Sequence, residues 1–178
     1  QSGLSIGKPR ITISTVGLPE KMRKLAELDR QYHLAVSLHA PTPELRDELV
    51  PINAKVGLDA VMEAADAYFQ RSGRQVTFEY VLLADLNDRP EDAEALGALL
   101  SGRKAHVNLI PYNPVEGLPY RRPSSEAIRR FERIVRGYGV RVSVRKTKGR
   151  EIDAACGQLR RRFQPEPGGP SLVTIGRS

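Results

Sequence analysis

Residues 58–83, L-D-A-V-M-E-A-A-D-A-Y-F-Q-R-S-G-R-Q-V-T-F-E-Y-V-L-L, decide the fold. Leu58, Val61, Met62, Ala65, Tyr68 and Phe69 recur at helical spacing, with Asp59 near the start and Gly73 just past the end. That pattern predicts an amphipathic helix whose apolar stripe belongs to a core. Val76–Leu83 then predicts the longest strand of the chain. The same alternation continues outward in both directions. Upstream, Ile11-Thr12-Ile13 is a short β-branched strand, and Pro19 and Glu20 open a helix carrying Met22, Leu25 and Leu28 towards Arg30. Leu34–Leu38 predicts a second buried strand, and Thr42 caps a short helix with Pro43 at its first position. Downstream, Pro90 starts a helix through Ala93, Leu96, Leu99 and Leu100, and Val107–Ile110 is a fourth strand. Ser124 or Ser125 caps a long helix with Ile128, Phe131, Ile134, Val135 and Tyr138 inward and arginines outward; Arg141–Arg145 then alternates as a half-exposed strand.

Apolar strands alternating with amphipathic helices imply βαβ units and a parallel α/β sheet covered by helices. A chain of 178 residues suffices for one domain with a full core. From Gln164 onward Pro and Gly dominate, so residues 164–178 are expected to be a disordered tail and residues 1–163 the folded part. The single cysteine excludes an internal disulfide and fits a reducing cytoplasm, and no apolar run is long enough for a membrane span. The net charge of +7 is concentrated: residues 121–162 hold 14 Lys/Arg against 4 Asp/Glu. A basic surface of that density suggests a nucleic-acid partner, bound through its phosphates.

In parallel α/β folds the chemistry sits at the carboxyl ends of the strands. Those ends carry Ser14-Thr15, Ser37-Leu38-His39, Asn87-Asp88 and Asn113, a repeated polar rim that describes a ligand site. Each residue also has a structural reading: Ser14 and Thr15 as helix caps, His39 as a hydrogen-bonded structural histidine, Asn113 as a turn residue between prolines. Cys156 follows a basic run, Arg145, Lys146, Lys148 and Arg150, in the setting A-A-C-G. Neighbouring cations lower a thiol pKa and little bulk surrounds this one, as a reactive thiol requires; alternatively it is a small buried hydrophobe. Three scattered histidines and one cysteine do not make a zinc centre.

Six segments in order, I-T-I-S-T-V-G, L-A-V-S-L-H-A-P, R-D-E-L-V-P-I-N, V-T-F-E-Y-V-L-L, V-N-L-I-P-Y-N-P and I-D-A-A-C-G-Q-L, resemble the RlmN/Cfr radical-SAM adenine methyltransferases of ribosomal RNA. The resemblance covers about Gly3 to Leu159 and implies the last four βα units of a partial (β/α)6 barrel, plus a terminal strand and cysteine loop. It implies that Ser14, Ser37, Leu38, His39 and Asn113 contact S-adenosylmethionine. It also implies that Cys156 takes a methyl group from one S-adenosylmethionine by nucleophilic displacement, while a second is reductively cleaved at a [4Fe-4S] cluster to generate the radical that activates this methyl. Carbon 2 of adenine is a poor nucleophile, so the cofactors carry the difficult step. The implied partners are 23S rRNA, transfer RNA and an electron donor such as flavodoxin.

The family's C-x-x-x-C-x-x-C loop, its G-E-P-like segment and its resolving cysteine have no counterpart among these residues. The expectation is therefore a C-terminal portion that is inactive alone. The context around Cys156 favours the carbon 2 branch over the carbon 8 resistance branch. Two other readings stand beside it: a non-catalytic RNA-binding fragment or pseudoenzyme, and an ordinary barrel enzyme of phosphorylated small molecules. Half a barrel should also leave the strand at Ile11–Ile13 as an unpaired edge.

Overall fold

A computed structural model describes residues 11–28, 32–115, 117–145 and 175–177. The elements in chain order are β1 (Ile11–Thr15), α1 (Pro19–Glu27), β2 (His33–Ser37), α2 (Pro43–Leu49), α3 (Asn53–Val56), α4 (Leu58–Ser72), β3 (Val76–Leu82), α5 (Pro90–Leu100), β4 (Ala105–Pro111), α6 (Ser125–Gly137), β5 (Arg141–Val144) and β6 (Ile175–Arg177). One sheet runs β5-β4-β3-β2-β1-β6. The first five strands are mutually parallel, and β6 is antiparallel to β1. This is the expected α/β architecture of four βα units and a fifth parallel strand.

The decisive segment behaves as its pattern requires. In α4, Leu58, Val61, Met62, Ala65 and Tyr68 are buried, and the helix stops where Gly73 adopts φ 67° and donates its N–H to Phe69 O. A left-handed residue there suits glycine, which carries no Cβ penalty. The other ends follow local chemistry too. Thr42 accepts from Leu45 N at 3.4 Å, and Ser124 accepts from Ala127 N at 3.1 Å, a cap worth about 1 kcal/mol.

Leu34, Val36, Phe78, Tyr80, Val107 and Leu109 point to the helix-covered face and pack with residues such as Met22, Val61, Leu96 and Phe131. Tyr80 and Phe131 meet with ring centroids 5.3 Å apart. A second cluster, including Leu49, Val50, Val81, Leu83, Ile110 and Tyr112, gathers towards the carboxyl ends of β3 and β4. Among the described residues no helix is long and apolar enough to cross a membrane.

Three local expectations are corrected. The edge at β1 is not bare, because Ile11–Ile13 pairs with Ile175–Arg177 and the chain itself satisfies the exposed ladder. Those three residues belong to the segment expected to be disordered; residues 164–174 lie outside the described residues. Leu28 does not join the inward face of α1, because the helix has ended at Glu27 and Leu28 is 52% exposed. Tyr138 is also partly exposed, because it follows α6 and its ring lies over Gly97. A Cβ at Gly97 would stand 2.3 Å from that ring, which accounts for a glycine inside α5.

Candidate active site at the carboxyl ends of the strands

The parallel strands β2 to β5 are not apolar on both faces. Opposite the helix-covered face, the ladder aligns Ala35, Thr77, His106 and Arg141, and two residues further along it aligns Ser37, Glu79, Asn108 and Ser143. Ser14 pairs with Ala35 and so joins the first of these rows. Ser143 Oγ lies 3.3 Å from Asn108 Oδ1. Burial raises the Glu79 carboxyl above its ordinary range, opposed by the charge of Arg145. Parallel strands that only serve a core read as continuous apolar runs. On this face polar residues instead align across four strands.

His39 closes β2 in the left-handed region, with φ 59°. Leu38 N and His39 N both donate to Glu79 O, at 2.9 and 3.3 Å. Val81 N then donates to His39 Nδ1 at 3.1 Å, so the imidazole supplies an acceptor to the next strand. Because Nδ1 accepts, the neutral ring carries its hydrogen on Nε2, which is buried without a hydrogen-bond partner. Asn87 braces this corner: its Nδ2 donates to His39 O and Val81 O, each at 2.8 Å, and its Oδ1 accepts from Leu83 N at 2.7 Å. The structural reading of His39 is therefore realised, and its Nε2–H is the remaining donor.

Burial, and secondarily the charge of Arg46, lowers the His39 pKa from 6.5 to about 3. Between those values the unfolded chain binds a proton that the folded chain refuses. The stability contribution is complete above pH 6.5 and is lost as pH falls towards 3. From pH 7 to pH 4 this loss is roughly 3 kcal/mol. Urea unfolding of His39→Gln, compared with the wild type, should show a correspondingly shallower acid slope. Identical slopes would remove His39 as the cause.

Arg46 is fully buried and ties the strand ends together. Its Nη1 donates to Asn53 Oδ1, and its Nη2 donates to Val16 O at 2.8 Å and to Ser37 O at 3.2 Å. Thr15 Oγ1 accepts from Gly17 N at 3.1 Å and Leu18 N at 3.4 Å, organising the turn after Ser14. Asn113 lies beyond β4 and accepts from Arg122 Nη1 at 2.6 Å; Arg122 also reaches Pro111 O and Tyr112 O.

The structure thus brings Ser14, Ser37, Leu38 and His39 together at the ends of adjacent strands. Asn113 follows β4, which β3 separates from β2, and β3 and β2 together separate from β1. Cys156 lies outside the described residues. Arg46, Asn53, Glu79 and Asn108 had no assigned role in the sequence reading, although alternation in V-T-F-E-Y and A-H-V-N-L carries the signal for the last two.

Hydroxyls, an amide and a buried imidazole N–H suit a ligand rich in hydroxyl, purine and carboxylate groups, as S-adenosylmethionine is. They do not suit an iron–sulfur cluster. Among the described residues no group of three or more His, Cys, Asp or Glu could hold a metal ion, and the chain has one cysteine where such a cluster takes several thiolates.

The α/β fold is that of solved radical SAM enzymes, as comparison with known proteins shows. A radical SAM methyltransferase from Sphaerobacter thermophilus superimposes with a TM-score of 0.78 at 48% identity, over 84% of this chain and 44% of that one. A domain of a pyruvate-formate lyase-activating enzyme from Bacteroides vulgatus shares the fold, with a TM-score of 0.58 at 13% identity, over 76% of this chain and 80% of that one. No family model matches. A "Probable dual-specificity RNA methyltransferase RlmN" of Rhodopirellula baltica is 58% identical over 90% of this chain and 43% of its own length. One of the same description from Symbiobacterium thermophilum is 52% identical over 91% of this chain and 44% of its own. The chain is similar in sequence to these RlmN-type proteins and spans about half the length of the curated relatives it matches.

Proposed function

We propose that this chain is the C-terminal, S-adenosylmethionine-binding and methyl-carrying portion of a radical RNA methyltransferase that modifies carbon 2 of an adenosine in 23S rRNA and in transfer RNA. The observation that carries the reading is the polar strand-end rim, Ser14 with Ser37, Leu38 and His39, set in a chain of RlmN-type sequence. In this reading Ser14, Ser37, His39 and Asn113 bind and orient S-adenosylmethionine, which supplies the methyl group. Cys156 receives that methyl. The residues present do not fit the [4Fe-4S] cluster, so cluster-dependent chemistry is not assigned to them, and the 178-residue chain alone is expected to be inactive. The enzyme would work in the cytoplasm with a reducing partner such as flavodoxin.

The RNA would be gripped partly through α6. Arg129, Arg130 and Arg133 are exposed on this helix, where phosphate contacts cost no desolvation of a core. Arg136 is engaged instead with Glu132 at 2.8 Å and Val142 O at 2.9 Å. These exposed arginines are also what favours the second reading, an RNA-binding fragment without catalysis.

The test is to express the intact gene in a host whose own adenosine carbon 2 methylation has been deleted, then digest ribosomal and transfer RNA and analyse the nucleosides by mass spectrometry. Appearance of 2-methyladenosine in both RNAs is expected. Appearance of 8-methyladenosine would move the protein to the resistance branch, and no methylated adenosine would overturn the reading.

A further inference from the structure

We propose that Arg46 is a positioning residue for the S-adenosylmethionine site, holding the carboxyl ends of β1 and β2 at a fixed separation. The inference rests on the functional reading above, since it concerns the same site. Its basis is the pair of carbonyls that one guanidinium nitrogen joins. Nη2 donates at once to Val16 O, in the turn that follows Ser14, and to Ser37 O, the backbone of the second site hydroxyl. These two backbones belong to adjacent strands that have already ended their ladder, because the last paired residues are Thr15 and Val36. Beyond that pair, the guanidinium supplies a bond across the gap.

The arginine is itself fixed from behind. Nη1 donates to Asn53 Oδ1 at the start of α3, and Asn53 Nδ2 donates to Asp47 Oδ1 at 2.6 Å and lies 3.5 Å from Pro43 O. Strand ends, α2 and α3 thereby share one polar knot. Gly17 confirms how closely the chain is built around it. Its φ is 90°, and a Cβ there would stand 3.0 Å from Arg46 Nη2 and from both Val61 methyls. Even alanine would press on the guanidinium in a conformation that L residues rarely adopt.

A buried arginine is an expensive way to fill space. Apolar residues of similar volume commonly stabilise a core as well or better, because a buried cation must recover its hydration through hydrogen bonds and counter-charge. Burial lowers the Arg46 pKa from 12.5 to about 10, with Asp47 opposing the shift, so the side chain stays protonated at neutral pH while Nε has no partner. Geometry explains why this position is not apolar. A planar fork can reach two strand ends and an asparagine at once, which neither a methionine nor a lysine reproduces.

The experiment uses the intact gene product and S-adenosylmethionine, with dissociation constants from titration calorimetry and melting temperatures from calorimetric scans. Four variants are compared with the wild type: Arg46→Met, Arg46→Lys, Asn53→Ala and Leu96→Ala. The last removes a buried core side chain of α5 and serves as the control for a loss of stability. A misplacement of binding groups by about 1 Å costs on the order of 10²-fold in a preorganised site. Arg46→Met should weaken S-adenosylmethionine about 30-fold or more, Arg46→Lys should recover part of this, and Leu96→Ala should stay within about 3-fold. Should the arginine variants fail to fold, Asn53→Ala decides, with an expected weakening of about 5-fold or more. Weakening no greater than that of Leu96→Ala would overturn the inference while leaving the functional reading in place. A wild-type protein that binds no S-adenosylmethionine would remove both.

Discussion

Replacing Cys156 with alanine in the intact protein should abolish RNA methylation, by about 10⁴-fold or more, while changing RNA affinity less than about twofold. In the proposed reading carbon 2 of adenine does not attack a sulfonium methyl directly, so a covalent carrier is needed, and Cys156 is the one thiol among these 178 residues. A free thiol is only a few per cent ionised at neutral pH. Four cations precede Cys156 within eleven positions, Arg145, Lys146, Lys148 and Arg150, and such neighbours favour the thiolate. Arg145 marks where the described chain leaves the sheet: its N–H donates to Leu109 O at 2.8 Å, and its charge opposes the effect of burial on Glu79. Serine at position 156 should be as inactive as alanine, because a hydroxyl is a far weaker nucleophile at this pH. Methylation by the alanine variant would exclude Cys156 as the carrier. Retained RNA binding with lost methylation separates the enzyme from a mere RNA-binding fragment, and parallel loss of both would assign the cysteine segment to the RNA grip.

The fold was legible where periodicity and punctuation agree. The α4 and β3 segments carry a 3.6-residue stripe, a glycine stop and a β-rich run, and each is found where those signals place it. Polar strand ends were legible for the same reason, since Ser37-Leu38-His39 and Asn87 interrupt apolar runs. The site's internal wiring was not. P-E-L-R-D-E-L reads as a solvated helix, and nothing in it distinguishes a fully buried Arg46 from an exposed Asp47; only the convergence of Val16, Ser37 and Asn53 makes the difference. The structural reading of His39 was available from the sequence, but its tautomer follows from Val81 N, 42 positions away. The pairing of Ile175–Arg177 with β1 was hidden because three residues beyond a Pro/Gly-rich stretch are too few to show alternation. Side-chain bonds between distant segments leave no periodic trace.

Asn87→Ala should lower the unfolding free energy of the native protein by roughly 4–6 kcal/mol, the largest stability loss expected from one polar side chain at the strand ends. Asn87 is fully buried, and its side chain makes three short bonds, to Leu83 N, His39 O and Val81 O. Alanine removes the donor and acceptor but leaves their backbone partners buried, and each unsatisfied group costs about 1–3 kcal/mol. A water entering the vacated volume would recover only part of this, because it would also have to be held in place. Typical domains are stable by about 5–15 kcal/mol, so the variant should stand close to global unfolding. Asn87→Asp separates shape from hydrogen bonding: it keeps an acceptor for Leu83 N but turns two donors towards carbonyls into a charge facing them. It should be at least as destabilised as alanine, despite its near-identical volume. Urea unfolding of both variants decides the matter. Losses below about 1 kcal/mol would mean that the His39 corner is held by the Leu38 and His39 amides on Glu79 O and that Asn87 merely fills it. Losses of the expected size would make Asn87 the brace that keeps the His39 corner, and with it the buried Nε2–H, in place at the carboxyl end of the sheet.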